Sequence, residues 1–258
     1  MRVAVFDLDG TLADTSADLI AAANAALAEA GVEPALGPED RAIAFAGGRA
    51  MLRAGFARAM PQAGFARTMP QAGFAQAARA VDAAAIEAAY PRLLAHYEAN
   101  IDRHTRTYEG AEAALDALAA AGWGLAVCTN KPFGLAETLL DRLGLRRRFA
   151  VVLGADSLPV RKPDPRHVWE TIDRAGGARE RAVLVGDTVT DREAARAAGV
   201  PCVLVGFGPE GAGVAALEPE AVLDRYADLP ALLDRLSPAR ETGPAQAKAA
   251  QVGGASGQ

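Results

Sequence analysis

Short apolar runs recur along the chain at 2–6 (RVAVF), 123–128 (WGLAVC), 149–153 (FAVVL), 182–185 (AVLV) and 202–205 (CVLV). Each has the length of a strand and lacks the polar alternation of a half-solvated one, which predicts parallel strands buried on both faces. Helical patterns lie between them at 110–121, 134–144, 166–175 and 190–198, and Gly122, Gly144 and Gly199 stand where three of these would stop. Alternating strands and helices predict an α/β fold with a parallel sheet covered on both sides. Ligands of such sheets bind beyond the carboxyl ends of the strands.

From the first strand to residue 109 no strand pattern is read; instead 17–30, 48–59 and 76–99 are Ala-rich and helical. That is too much chain for one crossover, so residues 15–100 are expected to form an inserted all-helical domain, leaving 1–14 and 101–236 as the core. The insert carries a tandem repeat: AGFARAMPQ at 54–62, AGFARTMPQ at 63–71, then AGFAQ at 72–76. A nine-residue unit turns a helix by half a turn, so successive copies would face opposite sides, and Pro61 and Pro70 would interrupt it. Removing 54–71 joins GGRAMLR to AGFAQAARAVD as one helical stretch, which favours a local duplication over a binding loop. The tail at 237–258 lacks apolar periodicity and aromatics and is expected to be disordered.

Composition adds exclusions. Hydrophobic residues make up 51% and charged residues 23%, ordinary for a globular chain, and the net charge of −5 comes without a basic block. Nucleic acid is therefore not an expected partner. The opening MRVAVFDLDG is broken by Asp7 and does not read as a signal peptide. No run approaches the roughly 20 apolar residues that span a bilayer, so a cytoplasmic location with no membrane partner is expected. Cys128 and Cys202 sit inside apolar runs and read as buried, reduced thiols. Of 27 basic residues only Lys131, Lys162 and Lys248 are lysines, and the first two fall beside candidate site residues. Lysine supplies a compact point charge where arginine would be bulkier and planar.

Four strand ends carry chemistry. Asp7-Leu8-Asp9-Gly10-Thr11 closes the first strand, and Gly10 can turn the chain so that the two carboxylates share one edge. One could then attack while the other handles protons; two solvated aspartates in a turn are the plain alternative. Thr129 and Asn130 follow WGLAVC, where a hydroxyl and an amide suit a phosphoryl oxygen or cap a helix. Lys162 lies in a loop stiffened by Pro163 and Pro165 and so can be aimed. Asp187 and Asp191 follow AVLV, four apart; they suit magnesium, or a helix start. Each piece has a bland reading, but a parallel sheet would bring all four to one edge.

This ordered set (DxDGT, a hydroxyl, KP and GDxxxD) resembles the haloacid dehalogenase superfamily from residue 2 to about 235, and FDLDGTLADT, VCTNKP and GDTVTD look most like phosphoglycolate phosphatases with a small helical cap. The implied fold is a Rossmann-like parallel-sheet core with an inserted all-helical cap domain. The implied activity is magnesium-dependent hydrolysis of a small phosphorylated metabolite, first 2-phosphoglycolate, by a monomer or homodimer. Asp7 would be the nucleophile and Asp9 the general acid and base. Magnesium would be held by Asp7, the Asp9 backbone carbonyl and Asp187, with Asp191 in support, while Thr129, Asn130 and Lys162 hold the phosphate. Gly47-Gly48-Arg49 would reach the substrate's carboxylate end, or be a surface arginine at a helix start. A sugar phosphomutase of the same superfamily and a non-catalytic binding module are the rivals. A true dehalogenase would leave Asp9 and Asp187 idle.

Overall fold

The computed structural model of the chain describes residues 1–33, 36–59 and 83–237. The repeat from residue 60 onward and the tail from 238 onward therefore lie outside the described residues. In chain order the elements are β1 (Arg2–Phe6), β2 (Ala13–Asp14), α1 (Ser16–Glu29), α2 (Arg41–Phe45), α3 (Gly48–Ala59), α4 (Ala83–Ala99) and β3 (Arg106–Thr107). They continue with α5 (Ala111–Ala120), β4 (Trp123–Cys128), α6 (Phe133–Arg142), β5 (Val151–Leu153), α7 (Pro165–Arg174) and β6 (Ala182–Gly186). Last come α8 (Val189–Ala198), β7 (Cys202–Val205), β8 (Ala221–Leu223) and α9 (Leu229–Leu236).

Six strands form one sheet in the order β5-β4-β1-β6-β7-β8, every neighbouring pair parallel. Val5 of β1 pairs with Ala126 of β4 on one side and with Leu184 of β6 on the other. All five β1 residues are buried. Ala4 and Phe6 enter one hydrophobic layer with Leu115, Leu139 and Leu233, while Val3 and Val5 enter the other with Val168, Ile172 and Ala194. Burial on both faces is why these strands read as unbroken apolar runs rather than alternating ones. Cys128 and Cys202 are buried free thiols within it. The short β8 and α9, and the two-residue strands β2 and β3, were not legible as elements. Two or three residues cannot display a period, and the eight residues of α9 span barely two turns.

The helical insertion packs α1, α3 and α4 on one another. Ile86, Ala89, Leu93 and Tyr97 recur along α4 at helical spacing and are buried together with Ala23, Leu27, Met51 and Leu52. Where the chain leaves and rejoins the core, β2 and β3 pair antiparallel, Ala13 with Thr107 and Asp14 with Arg106. The buried Asp18 of α1 closes this crossing. Its carboxylate accepts from the backbone N–H groups of His104 (2.9 Å) and Thr105 (2.9 Å) and from the Thr105 hydroxyl (2.8 Å). Among the described residues no helix is long and apolar enough to cross a membrane.

Replacing Asp18 by Ala strands these buried donors, so the variant is expected to lose about 2–4 kcal/mol in urea unfolding followed by circular dichroism. A loss within error of zero would show that the crossing does not depend on this carboxylate.

Candidate active site

The carboxyl ends of β4, β1 and β6, three adjacent strands, deliver their next residues to one edge: Thr129, Asp7 and Asp187. The chain turns immediately after β1. Gly10 adopts φ +82, and a Cβ there would stand 2.2 Å from Asp187 Oδ2, so both the turn and the close approach require glycine. Thr11 follows, donating its hydroxyl to Asp187 Oδ1 at 2.8 Å, and Tyr226 donates to the Thr11 carbonyl at 2.6 Å. Asp187 is thus held by Thr11, and Thr11 in turn by Tyr226.

Lys162 is 3% exposed, and its Nζ donates to Asp7 Oδ1 at 2.8 Å and to Asp191 Oδ1 at 2.6 Å. The loop that aims it ends in Asp164, whose carboxylate caps α7 by accepting from the Arg166 N–H at 2.9 Å, with Pro165 as first helical residue. His167, buried in the first turn of α7, accepts from the Lys162 backbone N–H at 3.3 Å. Burial and the neighbouring Lys162 charge lower its pKa to about 4, keeping it neutral as an acceptor. Asn130 ties the same loop to β4 by donating to the Lys162 carbonyl at 3.0 Å.

The helix-capping alternatives divide. Thr129 and Asn130 are not caps, since α6 starts at Phe133 with Pro132 before it. Asp191 does close the first turn of α8: its Oδ2 accepts from the Thr188 N–H (3.1 Å) and hydroxyl (2.7 Å). Its other oxygen remains on Lys162, so one carboxylate serves both helix and site.

Asp7, Asp187 and Asp191 are all buried, and each offers a carboxylate oxygen within 4.8 Å of the others'. Burial raises the Asp7 carboxyl from its ordinary 3.8 to about 6, against the opposing pull of Lys162. Asp187 is pushed well above the usual carboxylate range, by burial first and then by the charges of Asp191 and Asp7. The Lys162 pKa is raised as well, for the opposite reason. Burial alone would lower its pKa, but Asp191 and Asp7 outweigh that and raise it. Asp187 Oδ2 is buried without a hydrogen-bond partner among the described residues. An orphaned carboxylate oxygen beside two more carboxylates fits a hard divalent cation, whose charge would offset the excess negative charge that one lysine leaves.

Asp9 is placed differently. Its carboxylate faces Lys131, whose Nζ lies 2.9 Å from Oδ1 and 3.1 Å from Oδ2, and the Thr15 hydroxyl donates to Oδ1 at 2.7 Å. Asp7, Asp9, Thr129, Asn130, Lys162 and Asp191 line one cleft of about 430 Å³, roofed by Phe45, Gly47–Arg49, Tyr90 and Tyr97 of the helical insertion. Arg49 reaches this cleft, yet its guanidinium is held by Glu87 (2.7 and 2.9 Å) and lies 3.8 Å over the Tyr90 ring. Lys131, Thr11, Thr15, Tyr97 and His167 were not singled out as site residues from sequence. Lysine scarcity pointed to Lys131, and Thr11 and Thr15 stand inside the FDLDGTLADT segment; nothing marked Tyr97 or His167.

The family model of haloacid dehalogenase-like hydrolases matches residues 4–205, the span from β1 to β7. The chain belongs to this family. It is 40% identical over 235 residues to the phosphoglycolate phosphatase of Agrobacterium fabrum, covering 91% of this chain and 93% of that protein. Against the phosphoglycolate phosphatase of Caulobacter vibrioides the identity is 38% over 225 residues, 87% of each chain. Among solved structures, a predicted phosphoglycolate phosphatase from Haemophilus somnus superposes with a TM-score of 0.68 at 25% identity, covering 90% of this chain and 97% of that one. The six-stranded parallel sheet with a helical insertion is thus the fold of this hydrolase family.

The raised Asp187 carboxyl has a consequence for stability. A carboxyl whose folded pKa exceeds its unfolded 3.8 contributes stability that is present below that value and lost as pH rises through the folded pKa. In metal-free buffer, therefore, Asp187→Asn is expected to unfold at higher urea than the parent at neutral pH, with the gap shrinking toward acid. A divalent cation should stabilise the parent and leave the variant nearly unmoved. A variant no more stable than the parent without metal, and equally stabilised with it, would refute this account of the cluster.

Proposed function

We propose that the protein is a magnesium-dependent phosphatase that hydrolyses a small phosphate monoester through an aspartyl-phosphate, with 2-phosphoglycolate as the first candidate substrate. The observation that carries this reading is the placement of Asp7: a buried carboxylate at the end of the central strand, bordering the cleft, with Lys162 at 2.8 Å. An Asp7 oxygen attacks phosphorus and the bond from phosphorus to the ester oxygen breaks, while Asp9 gives that oxygen its proton. Asp9 then takes a proton from water, the water oxygen bonds to phosphorus, and the acyl-phosphate bond breaks to free Asp7 and inorganic phosphate. Lys162 lies against the attacking carboxylate and offsets charge on the transferring group, where positioning and electrostatics dominate the barrier. Thr129 and Asn130, at the end of β4, orient phosphoryl oxygens. Magnesium held by Asp7, Asp187 and the Asp9 carbonyl, with Asp191 in support, would supply further positive charge to the phosphoryl oxygens.

Two features support the substrate class. Relatives at about 40% identity over most of the chain carry the name phosphoglycolate phosphatase. The cleft, about 430 Å³, is small and carries Arg161 in its lining, chemistry suited to a short anionic substrate, while the Arg49 guanidinium there is held by Glu87.

The full chain assayed with magnesium against a panel of small phosphate monoesters should release most phosphate from 2-phosphoglycolate, and Asp7→Asn should lower the rate by about a thousandfold or more. A hexose phosphate isomerised without phosphate release would point instead to the mutase. No phosphate from any ester, together with an Asp7→Asn variant indistinguishable from the parent, would end the enzyme reading.

A further inference from the structure

Lys131 is 6% exposed and Tyr97 is 1% exposed, yet they come from different parts of the molecule: Lys131 follows β4 of the core, and Tyr97 lies near the end of α4 in the helical insertion. The Lys131 ammonium lies 2.9 Å from the Tyr97 hydroxyl and 4.2 Å from the centre of its ring. The same nitrogen bonds both oxygens of Asp9. Lys131 is thus a bridge between a side chain of the insertion and one carboxylate of the core. Its backbone is fixed as well: its N–H donates to Thr129 Oγ1 at 3.2 Å, and its carbonyl accepts from the Ala155 N–H at 2.9 Å.

No step assigned to Lys162 needs this second lysine. Asp7 already has its cation, and Lys131 bonds neither Asp7 nor the other two buried carboxylates. An ammonium with two oxygens of one carboxylate and one phenol as neighbours can do one thing well: hold that carboxylate in a single rotamer. The phenol restrains the four-carbon lysine stem, whose rotamer freedom would otherwise blur the position.

We infer that Lys131 is a positioning residue for Asp9, and that Tyr97 makes this positioning depend on how the helical insertion is seated on the core. The inference rests on the reading of Asp9 as general acid. The Thr15 hydroxyl restrains one Asp9 oxygen at 2.7 Å. The placement would then be complete only when Tyr97 of the insertion meets Lys131, so proton delivery is coupled to the same element that roofs the cleft.

The test uses leaving groups. A general acid matters for an alkyl ester such as 2-phosphoglycolate, whose leaving oxygen needs a proton, and hardly at all for p-nitrophenyl phosphate, whose phenolate leaves unaided. Because kcat/KM reports the steps through departure of the leaving group, the ratio of kcat/KM for the alkyl ester to that for the aryl ester isolates the acid's contribution. In the full-length protein Lys131→Met is expected to lower this ratio about tenfold or more, Tyr97→Phe several-fold, and Asp9→Asn most. The Phe variant keeps the ring and removes only the hydroxyl, so its fold is the least disturbed.

A merely structural role for Lys131 and Tyr97 would depress both substrates alike and leave the ratio untouched. If Asp9→Asn lowers the ratio while Lys131→Met and Tyr97→Phe do not, the inference falls and the assignment of Asp9 stands. If Asp9→Asn leaves the ratio unchanged, the acid assignment fails and the inference falls with it. If 2-phosphoglycolate is not turned over, the substrate reading fails by itself, and the comparison is made with whichever alkyl phosphate the panel shows is hydrolysed.

Discussion

Lys162 Nζ sits 2.8 Å from Asp7 and 2.6 Å from Asp191, with Asp187 buried beside them, and much of the molecule is arranged around that imbalance of one ammonium and three carboxylates. Gathering like charges out of water costs several kcal/mol per ion unless they are paired. The fold meets that cost with fixed partners: the Thr11 hydroxyl on Asp187, and the Thr188 N–H and hydroxyl on Asp191. What they leave over is the unpartnered Asp187 oxygen and two carboxyls with raised pKa values. A cluster held together with excess negative charge suits a cation, whose charge would offset it.

The sheet makes this gathering possible at low structural cost. Apart from Arg2 at the start of β1, its strands are apolar, and Asp7, Thr129 and Asp187 stand just beyond the carboxyl ends of β1, β4 and β6. The helical insertion adds a second layer of control. It leaves the core after β2, returns through β3, and is fastened at the crossing by Asp18. Above the cleft it contributes Tyr97, Tyr90 and Arg49, and it meets Asp9 directly through the Thr15 hydroxyl and indirectly through Lys131. Substrate selection and the placement of a proton donor would then be properties of one packed unit.

Much of the core was legible in the chain. Continuous apolar runs located five of the six sheet strands, because burial on both faces leaves no alternation to confuse the signal. Asp7, Thr129, Lys162 and Asp187 were legible because each follows such a run or stands in a loop stiffened by proline. Less was legible where elements are short. β8 is three residues long and β2 and β3 are two, and the 149–153 run becomes a strand only from Val151. The tandem repeat is plain in the letters, but from residue 60 onward it lies outside the described residues.

Residue order by itself determined that four polar groups would meet at one edge of a parallel sheet, since strand direction and connection lengths leave few other arrangements. It could not decide which partner each group takes once there. Asp9 is two residues from Asp7 and could have shared its cation; the turn at Gly10 and the position of Lys131 send the two carboxylates to different lysines. Tyr97 carries no mark in sequence beyond a helical apolar spacing, and it gains its hydrogen bond only because α4 packs over the cleft. Periodicity reports which face of an element is buried, a local property. Which side chains meet across elements depends on angles and distances between them, and those exist only in the assembled fold.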